Sequence, residues 1–496
     1  MNFSVSRFFV AILIALFLAF PFLALLVHGS PWRLPPWDEL SGVLLFTTAQ
    51  ALASALAALV FGVVGAFGVH WLTEKSGPHI SRLIQGFILL PNVAPIIVLL
   101  LAVMKFFPFA RGFFGIVFVH TLLNIGLVSV VALTLFQTRV SALAELAWVE
   151  GSSGPRFFLK GVLPLIRSDL AVIFLFVFAL CFTSFAVPLM IGGSQATTLE
   201  VLIYQKVRLS LDWSQALGLA GVQVLAVLWF AWFLGNEKSR TSTRVLASHR
   251  LEHPTPLLSW KWGLLVALIP PLVLLTGLIQ GLIAGIAHLF LMPAVLDALP
   301  DLFLGSFAVA VGTGLLSVTL LLLLAYLNPV GWFRHFLIGY ATPSAALTGF
   351  ALLIVWRDLG LATYFKIVIG ITLATVPSFY RLRWDSLLAS LQNQRVVAES
   401  LGAADGLIFR RIILPQIARS AFFIGGLAAL WAWGDFALSA VVAERAVTVA
   451  LLVRSLMEAY RFDIATVLVW ILLLGGLFTF FLFQGVGRVL GAKPEA

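Results

Sequence analysis

The stretch VVAESLGAADGLIFRRIILP at residues 396–415 lies between long apolar segments, and it has a counterpart, ELAWVEGSSGPRFFLKGVLP, at residues 145–164. In each, a first short run meets a glycine, Gly151 or Gly402, and a second run ends in Leu-Pro. Glycine permits the left-handed turn that ends a helix, and proline lacks the N–H that a continuing helix needs. Each stretch therefore predicts a short helix, a turn, a second short helix and a proline stop. We call 145–164 the first elbow and 396–415 the second elbow.

The rest of the chain is too apolar for a water-soluble protein. Hydrophobic residues make up 61% of the 496 and charged residues 10%, whereas a soluble domain is nearer half apolar and a quarter charged. Apolar runs of about 20 residues, enough to cross a bilayer, recur along the chain. We predict an all-α polytopic membrane protein with twelve spans, near 8–27, 44–72, 84–106, 112–136, 168–192, 215–235, 263–286, 304–327, 337–356, 364–380, 420–443 and 464–487.

An internal repeat relates the two halves. The elbows lie 251 residues apart, and Ile116 pairs with Ile367 and Thr121 with Thr372 at the same offset. Pro91 pairs with Pro343 at an offset of 252. Because each half has an even number of spans, we predict two parallel six-helix repeats with a pathway between them. The predicted division is a first transmembrane domain at 1–235, a cytosolic linker at 236–261 and a second transmembrane domain at 262–496.

The distribution of basic residues predicts the orientation. With the N-terminus in the cytosol, the inner segments hold about 21 of the 31 Lys and Arg residues, as the positive-inside rule requires. The net charge of +10 thus reflects topology, and we predict no nucleic-acid partner. The prediction is a multi-pass protein of the bacterial inner membrane with both termini cytoplasmic.

The elbows resemble the EAA loop of ABC importer permeases, the binding-protein-dependent family. That motif begins Glu-Ala-Ala, continues through a glycine and ends in Ile-x-Leu-Pro. The matching residues are Glu145, Ala147, Gly151, Leu163 and Pro164 in the first elbow and Ala398, Gly402, Ile412, Leu414 and Pro415 in the second. The second elbow departs from the motif at Val396, where the family has glutamate, although Glu399 lies three residues further on.

A second resemblance covers fewer residues. The segment 180–205 is similar to the fused permease of thiamine ABC importers, and Trp433-Gly-Asp-Phe436 resembles the corresponding part of that family's second half. Ferric iron permeases share this architecture. The resemblance implies a type I ABC importer permease fold, two copies of a cytosolic ATPase docked on the elbows, and a periplasmic solute-binding protein. It implies a transport subunit for a small thiamine-like or ferric iron solute, without enzymatic activity of its own.

Four residues are candidates for the translocation path: Thr183, Ser184, Trp431 and Asp435. A carboxylate in hydrocarbon costs several kcal/mol unless it faces a cavity or a partner, so Asp435 is either at the pathway or a structural cap. Hydroxyls of membrane helices also bond the backbone. Trp431 suits stacking on an aromatic cation and equally suits an interfacial anchor.

Other chemistries find no support in the sequence. The eight histidines show no His-Glu-x-x-His arrangement, and no phosphate-cradling loop is present. We therefore predict no metal, no cofactor and ATP hydrolysis on a partner chain. The alternative function is an ion-coupled secondary transporter, which can also have two parallel repeats. It would need several buried acidic residues for ion coupling, and apart from Asp435 few lie inside the predicted spans.

Overall fold

The computed structural model describes residues 5–27, 31–140, 143, 147, 149–152, 154–193, 196–241, 259–329, 331–340, 343–356 and 362–491. Within these ranges every regular element is helical and none is a strand. The predicted all-α class is confirmed. Glu145 and most of the predicted linker 236–261 lie outside the described residues.

The helices of the first repeat are α1 (Val5–Val27), α2 (Trp37–Lys75), α3 (Pro78–Ile88), α4 (Leu90–Val93), α5 (Ile96–Phe106), α6 (Gly112–Leu135), α7 (Gly154–Phe157), α8 (Leu163–Phe182), α9 (Ala186–Ile191), α10 (Leu199–Arg208) and α11 (Trp213–Thr241). Those of the second are α12 (Gly263–Ile279), α13 (Leu282–Phe290), α14 (Pro293–Leu327), α15 (Gly331–Gly339), α16 (Ala345–Trp356), α17 (Thr363–Phe379), α18 (Asp385–Ser390), α19 (Gln392–Ser400), α20 (Asp405–Ile408), α21 (Leu414–Trp433), α22 (Ala437–Val442), α23 (Val449–Glu458) and α24 (Phe462–Leu490).

Ten helical segments of the described chain are long and apolar enough to cross a membrane. They coincide with ten of the twelve predicted spans. In the third and ninth places stand the shorter apolar helices α5 and α16. These two spans are interrupted where the sequence predicts continuous helices.

Proline accounts for the interruption of the third span. Ala94 is extended, with ψ 147°, between α4 and α5. The residue before a proline is pushed out of the α-helical region, and Pro95 follows it directly. In the ninth span, Tyr340 ends the first described segment, and the next one starts at Pro343, two residues before α16.

The fifth and eleventh spans are also broken, at equivalent places. Three residues separate α8 from α9, and three separate α21 from α22. Asp435 therefore lies in a break between two helices, and the prediction that it lies inside a continuous span is wrong. The two breaks occur at the same offset of 251 as the elbows.

The chain divides into two compact units that differ from the sequence repeats. Unit I consists of Met1–Pro35, Leu202–Leu225 and Gly281–Ala496, and unit II of Pro36–Val201 and Ala226–Gln280. Unit I thus contains α1 together with most of the second repeat, and unit II contains α12 together with most of the first. The domain boundaries predicted above describe a relation between sequences, whereas these units describe contacts.

Specific contacts hold the first helix of each repeat in its unit. In unit I, the Tyr340 hydroxyl donates to the Leu18 carbonyl at 2.6 Å. In unit II, α12 comes so close to α2 that a Cβ on Gly68 would lie 1.8 Å from the Leu264 amide nitrogen. Glycine at position 68 is therefore required by backbone packing.

The contact at Gly68 yields a prediction about stability. We expect Gly68→Ala to lower the thermal unfolding temperature of the detergent-purified protein, because the new methyl group must push the α12 backbone away. Gly42→Ala, in the same helix, is the matched control, since no described atom lies within 4 Å of its Cβ position. It should be neutral or stabilise by up to about 1 kcal/mol through helix propensity. Equal unfolding temperatures for the two variants would contradict the packing described here.

Candidate docking and pathway sites

The turn in each elbow is a Schellman motif centred on a left-handed glycine. Gly151 has φ +70° and Gly402 has φ +79°. In the second elbow, the Ala403 N–H donates to the Ala398 carbonyl at 3.1 Å and the Gly402 N–H to Glu399 at 3.0 Å. In the first, the Ser152 N–H donates to the Ala147 carbonyl at 2.9 Å. These bonds satisfy the last carbonyls of the preceding helix, so both turns are defined by their own backbone.

The alanines of the motif face inward. Ala398 is buried, and Ala147 packs against a buried cluster that includes Phe136, Phe157 and Val162 in unit II. A larger side chain at either place would displace the elbow from its support. Their small size therefore has a packing reason.

An aromatic contact joins each elbow to the second span of its repeat. The Phe158 ring meets the Phe67 ring edge-on with centroids 5.3 Å apart in unit II. The Phe409 ring meets Tyr326 edge-on at 5.5 Å in unit I. Phe158 and Phe409 are related by the offset of 251, so both elbows rest on a long membrane helix in the same way.

The Leu-Pro end of the motif does not stop a helix. Pro164 and Pro415 lie in the first turn of α8 and α21, which continue for 20 residues each. Just before them, the chain widens into a π-helical turn, in which the Leu163 N–H bonds Phe158 and the Leu414 N–H bonds Phe409. A wider turn relieves the clash of the proline ring with the preceding turn. The predicted proline stop is therefore wrong.

Ion pairs reinforce the second elbow. The Arg395 side chain is only 6% exposed, and its Nε lies 3.0 Å from Glu399 Oε1. Its Nη2 lies 3.7 Å from Asp405 Oδ1, so one guanidinium bridges α19 and α20. The corresponding positions of the first elbow are Ala144, Trp148 and Gly154, which cannot form this arrangement.

A bidentate ion pair holds the segment that precedes the second elbow. Arg334 on α15 donates to both carboxylate oxygens of Asp385, at 2.7 and 2.9 Å. The hydrogen bond with Asp385 raises the pKa of Arg334 above its usual value. Asp385 is the first residue of α18, which precedes the second elbow in the chain. The ion pair therefore connects α18 with α15, the helix that precedes the break in the ninth span.

The outer surface of both elbows combines apolar and basic side chains. Val149 is 82% exposed and Leu401 is 81% exposed, at the tips of the two turns. Val396, Val397 and Leu407 are also exposed. The basic residues Arg156, Lys160, Arg410 and Arg411 are exposed as well. An exposed apolar group with a charged rim is typical of a protein-docking surface.

The remaining motif residues lie at the junction with the membrane helices. Leu163, Ile412, Leu414 and Pro415 are half-buried, and Pro164 is exposed. These motif residues lie at the π-helical turns. The residues exposed at the elbow tips, Val149 and Leu401, do not belong to the motif. The sequence motif did not identify Val149 and Leu401. Their signal in the sequence is an apolar residue one or two positions before a turn glycine.

The predicted pathway residues have structural partners. Asp435 accepts hydrogen bonds from the Ser439 N–H at 3.1 Å and the Ser439 hydroxyl at 3.0 Å, and so caps α22. The Thr183 hydroxyl donates to the Ala179 carbonyl at 2.9 Å. Ser184 occupies the position equivalent to Asp435, and Trp431 stacks on Phe379 with ring centroids 5.3 Å apart. Asp435 can cap a helix and also line a pathway, because both roles require a polar group at a helix break.

Two further polar residues lie at the interrupted spans. Asn92 follows Pro91 and Ser344 follows Pro343. The Asn92 amide donates to the Leu123 carbonyl at 2.8 Å, and the Leu347 N–H donates to the Ser344 hydroxyl at 3.2 Å. Interrupted helices at matching places of two repeats are typical of solute sites in transporters. The paired prolines were the signal in the sequence.

The far end of unit I, away from the second elbow, contains a cavity of about 590 Å³. Its lining includes Asp301, Tyr364 and Arg445. In the cavity wall, the backbone at Val447 packs directly against Gly305. A Cβ at position 305 would lie 2.3 Å from the Val447 carbonyl oxygen. No cluster of metal-ligating side chains occurs in the part of the chain that the structure describes.

The chain is similar in sequence to several thiamine transport permeases. It is 28% identical over 206 residues to the thiamine transport system permease protein ThiP of Haemophilus influenzae, covering 38% of each chain. It is 29% identical over 202 residues to the protein of the same name from Brucella suis, covering 37% of each chain. The Salmonella typhimurium protein of that name is 32% identical over 118 residues, which cover 24% of this chain and 22% of the relative.

This chain resembles thiamine transport permeases. The matched segments span less than two fifths of each relative's length. No family model and no solved structure matches the chain significantly.

The left-handed turn yields a prediction for the second elbow. We expect Gly402→Ala to weaken the turn by about 1 kcal/mol, because L-residues disfavour positive φ. The amide of Ala403 should then exchange its hydrogen roughly fivefold faster. Gly406→Ala, four residues further on in α20, is the control, since Gly406 does not have positive φ and also lies in open space. Equal exchange at Ala403 in both variants would show that the turn does not depend on glycine.

Proposed function

We propose that the chain is the permease subunit of an ABC importer, which forms the pathway for a thiamine-like solute delivered by a periplasmic binding protein. Two copies of a cytosolic ATPase dock on the two elbows and drive transport. The observation that carries the proposal is the same elbow, with a left-handed glycine and the same bond from the residue after it to the motif alanine, occurring twice at an offset of 251. The repeats are 1–235 and 262–496, joined by the linker 236–261.

The elbow surfaces support the docking role. Val149 and Leu401 are exposed at tight turns, and exposed basic residues follow at 156, 160, 410 and 411 in the two elbows. Burial of such side chains against a partner stabilises a complex, while Arg156 and Arg410 contribute polar contacts at the rim. Each elbow contacts the second span of its repeat through an aromatic pair, so a push on the elbow reaches the membrane helices. Rigid elements of this kind transmit domain movements.

The two docking sites differ in chemistry. The first elbow has Glu145 where the second has Val396, and only the second has the buried Arg395 bridge. We propose that the second ATPase contact is more apolar and its elbow more rigid. The backbone of the turn is the same in both.

The orientation follows from charge. The second elbow carries Arg410 and Arg411, and its support includes Arg334 and Arg383, so this end of unit I is strongly basic. By the positive-inside rule, this charge supports a position of the elbows and both termini in the cytoplasm, in a protein of the bacterial inner membrane. The opposite end, with the cavity lined by Asp301, Tyr364 and Arg445, faces the binding protein.

A thiamine-like cation is the favoured solute because the relatives that match this chain are thiamine transport permeases. Trp431 and the polar groups at the helix breaks, Asn92, Thr183, Ser184 and Asp435, are the candidates that line the path. Ferric iron lacks comparable support. The alternative, an ion-coupled transporter, requires carboxylates available for protonation, whereas Asp435 is engaged as a helix cap.

Uptake into proteoliposomes tests the function. The chain, co-purified with a cytosolic ABC ATPase partner and supplied with the loaded binding protein, should accumulate radiolabelled thiamine only with ATP. A non-hydrolysable ATP analogue serves as the control. Uptake that needs an ion gradient and persists without ATP would support the secondary transporter. A thermal-shift screen of the binding protein against thiamine and ferric iron identifies the solute independently.

A charge introduced at an elbow tip tests the docking surface. We expect Leu401→Asp to reduce co-purification of the ATPase at least fivefold, because it places a carboxylate in the apolar contact. The fold should be unaffected, since Leu401 is exposed. Asn393→Asp, at an exposed position of the same α19–turn segment, adds the same charge outside the apolar group. If both variants retain the ATPase as the unmodified protein does, the elbow tip is not the docking surface.

A further inference from the structure

Helices α10 and α23 occupy equivalent places in the two repeats. Both contain 10 residues, Leu199–Arg208 and Val449–Glu458. The first N–H of each donates to a hydroxyl of a long helix at 2.9 Å: Leu199 to Thr47 and Val449 to Ser306. Matching lengths and matching caps establish an offset of 250 between the two helices. Under this offset, Tyr204 is equivalent to Arg454.

Tyr204 and Arg454 touch each other. The Arg454 guanidinium carbon lies 6.0 Å from the centroid of the Tyr204 ring, within the range of a cation–π interaction. The Arg454 side chain is 16% exposed, and its Nε lies 2.9 Å from Glu458 Oε1. Partial removal from water strengthens a cation–π contact. Both residues belong to unit I.

The contact between equivalent residues indicates where the pair lies. Two residues related by a two-fold axis touch only if they lie close to that axis. In a transporter with parallel repeats, the solute follows the axis that relates them. In unit I, α23 comes after α21, whose 20 residues span about 30 Å from the second elbow. Within unit I, the pair therefore lies at the end opposite to the second elbow.

A second bond closes the same place. Arg208, the equivalent of Glu458, donates through Nη2 to the backbone carbonyl of Ala443. Ala443 directly follows α22, the short helix capped by Asp435. The end of α10 is thus tied to the segment that leads into α23.

We propose that Tyr204 and Arg454 form a cation–π latch that closes the outer end of the pathway, and that the Tyr204 ring, once Arg454 leaves it, receives a positively charged organic solute. The inference rests on the proposed function. Arg454 keeps Glu458 as its ion-pair partner on α23 when the latch opens, so its charge is never left unpaired. A heteroaromatic cation offers the Tyr204 ring the same cation–π interaction that the guanidinium made.

Passive release from proteoliposomes tests the latch. Vesicles containing the chain with its ATPase are loaded with radiolabelled thiamine, a cation, and sucrose, a neutral solute, and release is followed without ATP. The unmodified protein and Tyr204→Phe, which keeps the ring, should retain both solutes. Arg454→Met should release thiamine at least threefold faster than sucrose, because the guanidinium no longer occupies the Tyr204 ring face. The double variant Tyr204→Leu/Arg454→Met should release both at equal rates.

Controls separate the latch from general damage and from the proposed function. Lys206→Met removes a positive charge from α10 but leaves both Tyr204 and Arg454 in place, so it should retain both solutes, and protein-free vesicles give the background. If Arg454→Met misfolds by size-exclusion chromatography, Arg454→Gln replaces it. If both the Arg454 variant and the double variant retain thiamine and sucrose, the contact is not a latch. If both variants release thiamine faster than sucrose by the same factor, the Tyr204 ring does not receive the cation. ATP-driven uptake by the unmodified protein, measured in the same vesicles, tests the proposed function separately.

Discussion

The hydrocarbon interior of a membrane offers no hydrogen-bond partner to an exposed peptide group, and this constraint determines where the chain is allowed to leave the helical conformation. Each interruption carries its own polar partner. Asp435 caps α22, and Thr47 and Ser306 accept the first N–H groups of α10 and α23. At the broken third span, Asn92 donates to a carbonyl of α6. Polar side chains thus reach the membrane interior where helices are broken, and these places are the candidates for the solute path.

The elbows obey a different constraint, because an exposed turn keeps one shape only where its own local bonds define it. A left-handed glycine closed by backbone bonds provides rigidity without side chains, and the edge-on aromatic pairs fasten each elbow to a long helix. The second elbow adds the Arg395 bridge, whose residues have no counterparts in the first. The repeat therefore preserves the backbone of the elbow turn while its side chains differ between the two copies.

Several features were predictable because they depend on local chemistry. The apolar runs indicated the membrane spans, and Gly151 and Gly402 indicated the left-handed turns, since few other residues adopt positive φ. The prediction that the Leu-Pro ends stop a helix was wrong. Proline excludes one hydrogen bond, but a π-helical turn absorbs the clash and the helix continues. The broken third and ninth spans were missed because the apolar character of a segment does not change where Pro91, Pro95 and Pro343 interrupt its helix.

The amino-acid sequence by itself determined the all-α membrane class, the repeat offset and the turn in each elbow, because composition, spacing and glycine act over a few residues. Only the tertiary structure decided which helices pack together. It placed α1 beside helices of the second repeat through the hydrogen bond from Tyr340 to Leu18. It placed α12 against α2 of the first repeat, where Gly68 allows the two backbones to approach closely. It also brought Tyr204 against Arg454, 250 residues apart. Contacts of this range depend on the shapes of whole helices, which no local pattern contains.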